Sequence, residues 1–337
     1  MTIDLRSDTL TKPTKEMLDA MMSADVGDDV FGEDPTVNRL EEKAAEMLGF
    51  EGGLFCPSGT MTNQIAIRVL TQPQDEVICD QRSHVYLYEG GGMAANSLVS
   101  VALLNGDRGR ITPDMIVGAI KPDDMHYPRT KLVALENTVN KGGGACYTMD
   151  EMRQIGHICR QHGLSLHLDG ARLFNALTET GDDPAQIGRI FDTTSICLSK
   201  GLGAPVGSLL LGSKEIMRKA KRVRKVLGGA MRQAGYLAAA GIYALDHHIN
   251  RLQDDHRRAR QIADIIKTHP RVTGCQPVDT NIIIFSVGDD VQQFLKNMEK
   301  QGILALAFGG NSIRMVTHLD VTDAMMHAFE EKLQKVV

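Results

Sequence analysis

The sequence predicts an α/β protein: a large domain on a mostly parallel sheet, followed by a small α+β domain at the C-terminus. Three observations predict it. Between Glu76 and Leu211 six strand-like apolar runs alternate with helical patterns. After Pro270 the pattern changes to short strands between short helices. The chain has 337 residues, 42% hydrophobic and 23% charged, which suits about two domains with a site in the cleft between them. The expected division is an N-terminal arm over 1–30, a large domain over 31–248 and a small domain over 249–337.

In chain order, Thr14 precedes Met17, Leu18, Met21 and Met22 at helical spacing, and Asp34-Pro35 opens a second amphipathic helix that Gly49 closes. Gly53-Leu-Phe-Cys-Pro reads as a turn that feeds Ser58-Gly59-Thr60 into a third helix, its apolar face carried by Met61, Ile65, Ala66, Val69 and Leu70. Strands are expected at 76–79, 98–103, 131–135, 164–168, 194–198 and 206–211. Thr148-Met-Asp-Glu151 forms a capping box for a crossover helix that Gly163 ends. From Met231 to about Thr268 the pattern is one long helix. The small domain then offers strands at 280–287, 303–307 and 312–317, a helix near Val291 to Lys300, and a final helix. The N-terminal arm has no core of its own and must pack on another part of the chain.

Composition excludes several classes. Disorder, collagen and coiled coil do not fit these proportions. With 37 basic and 42 acidic residues the formal charge is −5, which gives no electrostatic reason to bind nucleic acid. The basic run Lys214 to Lys225 has helical spacing and reads as a solvated or interface face. The six cysteines occur singly and read as small buried hydrophobes. No run of about 18 apolar residues suggests a membrane span, and the first residues lack the marks of a targeting segment. The cytoplasm is the expected compartment. His247, His248 and His256 lack a closed ligand spacing, so no metal site is expected.

The chemistry centres on Asp169, which ends the run Leu-Ser-Leu-His-Leu-Asp, and Lys200, which ends Ser-Ile-Cys-Leu-Ser-Lys. Both fall at the C-terminal ends of predicted parallel strands, the edge where open α/β sheets bind ligands. A lysine there, followed by Gly201-Leu-Gly203, suits a Schiff base with a carbonyl cofactor, and a facing carboxylate suits the pyridine nitrogen of pyridoxal phosphate. The alternative for such a pair is a strand-end salt bridge. Ser58, Gly59 and Thr60 weigh against it, because a helix start with free N–H groups and hydroxyls captures phosphate. His84 follows a strand and suits ring stacking or proton transfer, or a purely structural role. Arg172 and Arg314 suit bidentate recognition of a substrate carboxylate; their alternatives are a helix-surface charge and an interdomain salt bridge. Gly201 to Gly207 leads into a strand, against a dinucleotide loop.

These residues carry a resemblance. The chain resembles the low-specificity L-threonine aldolases, members of the aspartate-aminotransferase-like fold type I pyridoxal phosphate enzymes. The resemblance covers nearly the whole chain through Asp4-Leu-Arg-Ser-Asp-Thr9, Gly27-Asp-Asp-Val, Pro57-Ser-Gly-Thr60, Ile120-Lys-Pro-Asp-Asp124, Leu168-Asp-Gly-Ala-Arg172, Cys197-Leu-Ser-Lys-Gly-Leu-Gly203, Met231-Arg-Gln and Val316-Thr-His-Leu319. It implies a seven-stranded, mostly parallel sheet and pyridoxal 5'-phosphate as cofactor. It further implies cleavage of L-threonine and L-allo-threonine to glycine and acetaldehyde in a homotetramer with sites at subunit interfaces. By resemblance, Lys200 would attach the cofactor, Asp169 would hold the pyridinium, Ser58, Gly59 and Thr60 would bind phosphate, and His84 would stack on the ring. Ser7, Arg172 and Arg314 would hold the substrate carboxylate, Arg232 would reach the phosphate from a neighbouring subunit, and His126 would lie on the substrate side. The β-hydroxyl base would be His84, His126 or a water they hold. The rivals are a β-eliminating lyase or aminotransferase of the same fold, and a cofactor-binding protein without turnover. One departure stands out: many members read Glu-Asn-Thr-His-Asn-Gly where this chain reads Glu136-Asn-Thr-Val-Asn-Lys141, and Val139 cannot move a proton.

Overall fold

The computed structural model describes residues 1–288 and 290–336. Thirteen strands are seen among them: β1 (Ile3–Asp4), β2 (Gly52–Cys56), β3 (Asp75–Asp80), β4 (Ser100–Leu104), β5 (Arg129–Glu136), β6 (Ser165–Gly170), β7 (Thr193–Cys197), β8 (Ser208–Gly212), β9 (Val272–Cys275), β10 (Ile282–Val287), β11 (Ile303–Leu304), β12 (Leu306–Ala307) and β13 (Ser312–Val316). Seven of them form one sheet in the order β2-β8-β7-β6-β5-β3-β4, in which β8 alone runs against its neighbours. Strands β3, β7 and β8 are buried along their whole length, as expected of a sheet covered by helices on both faces, and β8 carries the apolar run Leu209-Leu-Leu211 that such burial favours.

The helices begin where the sequence places them. Thr14 caps Lys15–Met22, Asp34 caps Pro35–Leu48 through the N–H groups of Thr36 and Val37, and Thr148 with Glu151 closes a reciprocal capping box on Met149–Gln161. The second of these helices ends at Gly49 with φ 74°, a conformation that glycine adopts without strain.

Four expectations are corrected. Gly52–Cys56 is a strand at the sheet edge rather than a turn, its Phe55 N–H satisfied by the Glu41 carboxylate at 2.8 Å. The expected strand at 98–103 starts at Ser100, because Leu98 has φ 57°. The long helix is two helices, Gly235–His247 and Leu252–Lys267. Tertiary bonds hold the break: His248 bonds the Leu202 carbonyl at 2.7 Å, and Arg251 donates to the Gly201 carbonyl at 3.3 Å. Finally, 303–307 splits into β11, which pairs with β1, and β12, which joins the antiparallel sheet β12-β13-β10-β9.

The arm packs on both parts of the chain: Ile3 and Leu5 are buried in a core with Ile262, Ile266, Phe285, Phe294 and Phe329, whereas Met17 joins the core of the large domain. Among the described residues, no helix is long and apolar enough to cross a membrane.

Candidate active site

The C-terminal ends of β5, β6 and β7 bring Glu136, Asp169 and Cys197 to one edge, with Glu136 directly beside Asp169 in the parallel register. Asp169 is buried and held from two sides, by the Asn63 amide at 2.9 Å and the Ala171 N–H at 3.1 Å. It makes no ion pair with Lys200 among the described residues, so the strand-end salt bridge does not form. The Asn63 amide also donates to Glu89 at 2.8 Å, and its oxygen faces His167 Nε2 at 3.1 Å. Glu89, with a side chain wholly buried, is bonded to His84 Nδ1 at 2.9 Å and accepts from Gln64 at 2.6 Å.

Electrostatics follow from this crowding. Burial and then the Asp169 charge push Glu136 up to about 7, although the N–H groups of Asn140 and His84 donate to it at 2.8 Å each. Burial alone would lower the His84 pKa, but the bond to Glu89 and the charges of Asp169, Glu89 and Glu136 outweigh it and hold His84 above its ordinary value.

The helix Gly59–Leu70 carries Asn63 and also supplies the anion end of the site. Ser58 caps it by accepting from Met61 N–H at 3.2 Å, which leaves the first-turn N–H groups of Gly59 and Thr60 without intrahelical acceptors. A Cβ on Gly59 would stand 2.6 Å from Cys197 Sγ, so only glycine lets this helix start on the end of β7. Gly59 and Asn63 are four residues apart, about 6 Å along the axis. One helix thus carries both the unbonded first-turn N–H groups and the amide that fixes Asp169. Lys200 stands beside them in a turn closed by Gly203 N–H to the Lys200 carbonyl at 2.8 Å.

On the other side lie the two arginines. Arg172 is buried and paired with Asp8 through Nε and Nη2, both at 2.7 Å, and is no surface charge. Although burial opposes it, the charges of Arg172 and Lys200 bring Asp8 down to about 2. Arg314 enters from β13; Nη1 donates to Asn140 at 2.9 Å, Nη2 to the Arg6 carbonyl at 3.1 Å, and its buried Nε has no partner among the described residues. Burial and then the Arg172 charge lower it to about 10. Arg314 itself makes no interdomain salt bridge, its alternative role, among the described residues. Ser7 lies next to Asp8 and accepts from Thr9.

The single chain does not bring every expected residue to this edge. His126 is exposed and bonded to Asp124 in the loop before Arg129, where β5 begins, whereas the site lies at Glu136, where β5 ends. Eight residues of strand separate the two, roughly 25 Å. Arg232 is exposed and paired with Asp28 at 2.9 Å. Val139 is buried in the large core, close enough to Gly109 and Gly142 to crowd a Cβ placed on either. Sequence reasoning missed Asp8, Asn63, Glu89 and Glu136. Asn63-Gln64 was the visible signal, two amides in an otherwise apolar helical stretch.

Comparison with known proteins agrees with this geometry. The family described as beta-eliminating lyase matches residues 4–290. The chain is 43% identical over 324 residues to the low specificity L-threonine aldolase of Escherichia coli K12, covering 95% of each chain. It is 41% identical over 331 residues to a probable low-specificity L-threonine aldolase 2 of Arabidopsis thaliana, covering 96% of this chain and 93% of the relative. Among solved structures, the Leishmania major threonine aldolase superposes with a TM-score of 0.84 at 24% identity over 98% of both chains. A Sphingomonas wittichii serine palmitoyltransferase superposes with a TM-score of 0.77 at 15% identity, over 99% of this chain and 87% of that one. At such identities these two speak for the fold, which is the expected fold type I architecture. Match length, identity and architecture agree, and the chain belongs to the beta-eliminating lyase family.

Proposed function

We propose that this protein cleaves L-threonine and L-allo-threonine between Cα and Cβ to give glycine and acetaldehyde, runs the addition in reverse, and uses pyridoxal 5'-phosphate as its cofactor. The observation that carries the reading is the meeting of the Gly59 helix start, buried Asp169 and Lys200 at one sheet edge. The residues fit the group: a glycine-only anion cradle, a carboxylate fixed by two donors, and a lysine without a competing ion pair among the described residues.

When bound, the cofactor supplies an electron sink for the pair released from the Cα–Cβ bond, provided its ring nitrogen stays protonated. Asp169 holds that proton, and Asn63 and Ala171 keep the carboxylate in place. Ser58, Gly59 and Thr60 would bind its phosphate, and Lys200 would be its point of attachment. Arg314, Arg172 and Ser7 bind the substrate α-carboxylate; the free Arg314 Nε is the buried donor still in want of an acceptor. His84 would cover the ring. With Nδ1 tied to Glu89, its Nε2 takes the β-hydroxyl proton, directly or through a water.

The reading includes a cytoplasmic homotetramer acting in threonine breakdown and glycine supply. In it, Arg232 and His126 serve the site of a neighbouring subunit. Their exposure, and the exposed Tyr86, Leu87 and Tyr88 beside His84, support this.

The test is product analysis after L-threonine is added to the loaded protein. Acetaldehyde, read by NADH consumption with alcohol dehydrogenase, and glycine are expected in equal amounts. A keto acid and ammonia without glycine would replace the aldolase reading with β-elimination.

A further inference from the structure

Lys141 is a cation for which threonine cleavage has no use. It stands in the turn Asn140–Gly142 just beyond β5, on the same sheet edge as the site. Its Nζ lies 4.9 Å from the centroid of the Phe308 ring and 5.9 Å from that of Tyr88. Both rings line the rim of the site. Tyr88 packs on His84 with centroids 5.6 Å apart, and the Arg314 guanidinium carbon lies 4.8 Å from the Phe308 centroid.

Ring faces attract an ammonium but do not neutralise it. Among the described residues no carboxylate pairs with Lys141, and the acids of the adjacent loops are committed elsewhere, Asp107 to Arg110 and Asp279 to Arg108. Lys141 also borders a cleft of about 540 Å³ whose other charged lining residues are Arg82, Arg108 and Asp107, so the lining is net positive. An anion that arrives with the substrate is the partner this arrangement lacks.

The span fits a dicarboxylate. Lys141 Nζ and the Arg314 guanidinium carbon share the Phe308 ring and so stand at most about 10 Å apart. A four-carbon diacid bridges that distance once a charge-assisted contact of about 2.8 Å is made at each end.

We infer that the substrates of this enzyme include β-hydroxy-α-amino acids with a carboxylate on Cβ, Lys141 pairing with that carboxylate while Arg172 and Arg314 hold the one on Cα. The inference rests on the proposed Cα–Cβ cleavage. In 3-hydroxyaspartate that bond breaks with its electron pair left at Cα, and the β-hydroxyl loses its proton as the aldehyde of glyoxylate forms. Cα then takes up a proton to give glycine. Nothing is oxidised or reduced overall, and no co-reactant enters.

The experiment compares glycine release from 3-hydroxyaspartate and from L-threonine by the holoenzyme. For Lys141→Ala, the ratio of kcat/KM for hydroxyaspartate to that for threonine falls at least tenfold, through KM. For Lys141→Glu it falls further, and Lys141→Arg keeps it within about threefold. Threonine cleavage with a ratio unmoved by Ala and Glu overturns the inference alone, whereas failure of the unaltered enzyme to cleave either compound overturns the proposed function and the inference with it. A binding readout needs neither turnover nor a folded variant. By calorimetry the unaltered holoenzyme binds L-aspartate at least tenfold more tightly than the uncharged isostere L-asparagine; equal affinities contradict the role of Lys141.

Discussion

His84 and Glu89 lie five residues apart and share a hydrogen bond of 2.9 Å, and the charge of Glu89 helps to hold the His84 pKa above its ordinary value against the effect of burial. The folded protein therefore binds this proton more tightly than the unfolded chain does. The resulting stabilisation is fully present below the unfolded value of about 6.5 and is lost as pH rises through the folded one. Glu89→Gln is expected to move the His84 titration to lower pH, read from its Cε1 proton by NMR, and the stability gap to the unaltered protein closes as pH rises. A His84 titration that does not move contradicts the role of Glu89. Little of this network was legible in the sequence. Asp169 and Lys200 were, because each ends an apolar strand. Asn63 was not, because its partner Asp169 lies 106 residues on, and Asp8 was hidden in the same way, since Arg172 lies 164 residues on.

Elements follow local chemistry where caps and glycines act alone. Thr148 and Glu151 satisfy each other's backbone N–H groups, so Thr148→Ala is expected to cost about 0.5–2 kcal/mol in urea unfolding. Gly59 is constrained from outside its own helix. Gly59→Ala drives a methyl onto Cys197 Sγ and displaces the helix start, so cofactor affinity is expected to fall about tenfold, the scale of an overpacked core contact. Adding Cys197→Ala removes the obstructing sulfur and recovers most of that loss; a double variant as weak as the single one would locate the fault elsewhere. The elements that sequence reading missed share one cause. Strand β2 begins with two glycines and is stabilised by β8 and Glu41, and the break between the helices Gly235–His247 and Leu252–Lys267 is held by the Gly201–Leu202 turn. Neither a periodicity nor a breaker residue marks such tertiary ties.

At the scale of the molecule, the arm, the C-terminal sheet and the large sheet meet at Arg314, which holds Asn140 beyond β5 and the Arg6 carbonyl of the arm. That meeting follows from chain topology, since β1 pairs with β11 and the Val316 N–H donates to the Leu5 carbonyl. The sequence announced only that the arm needed somewhere to pack. The proposed assembly would leave a still weaker trace in one chain: an exposed Arg232 and a His126 at the far edge of the sheet. Arg232→Ala is expected to lower cofactor affinity about tenfold in equilibrium dialysis while the chain keeps its fold, since among the described residues this side chain makes only an exposed pair with Asp28. Unchanged affinity would leave the phosphate to Ser58, Gly59 and Thr60 alone.

The whole account turns on Lys200 as the point of covalent attachment. The most direct measurement is borohydride reduction of the pyridoxal phosphate-loaded protein followed by peptide mass mapping. The account predicts one stable adduct, on the peptide containing Lys200, and none at any site in Lys200→Ala. An adduct on a different lysine, or no adduct in a loaded and folded protein, would contradict it.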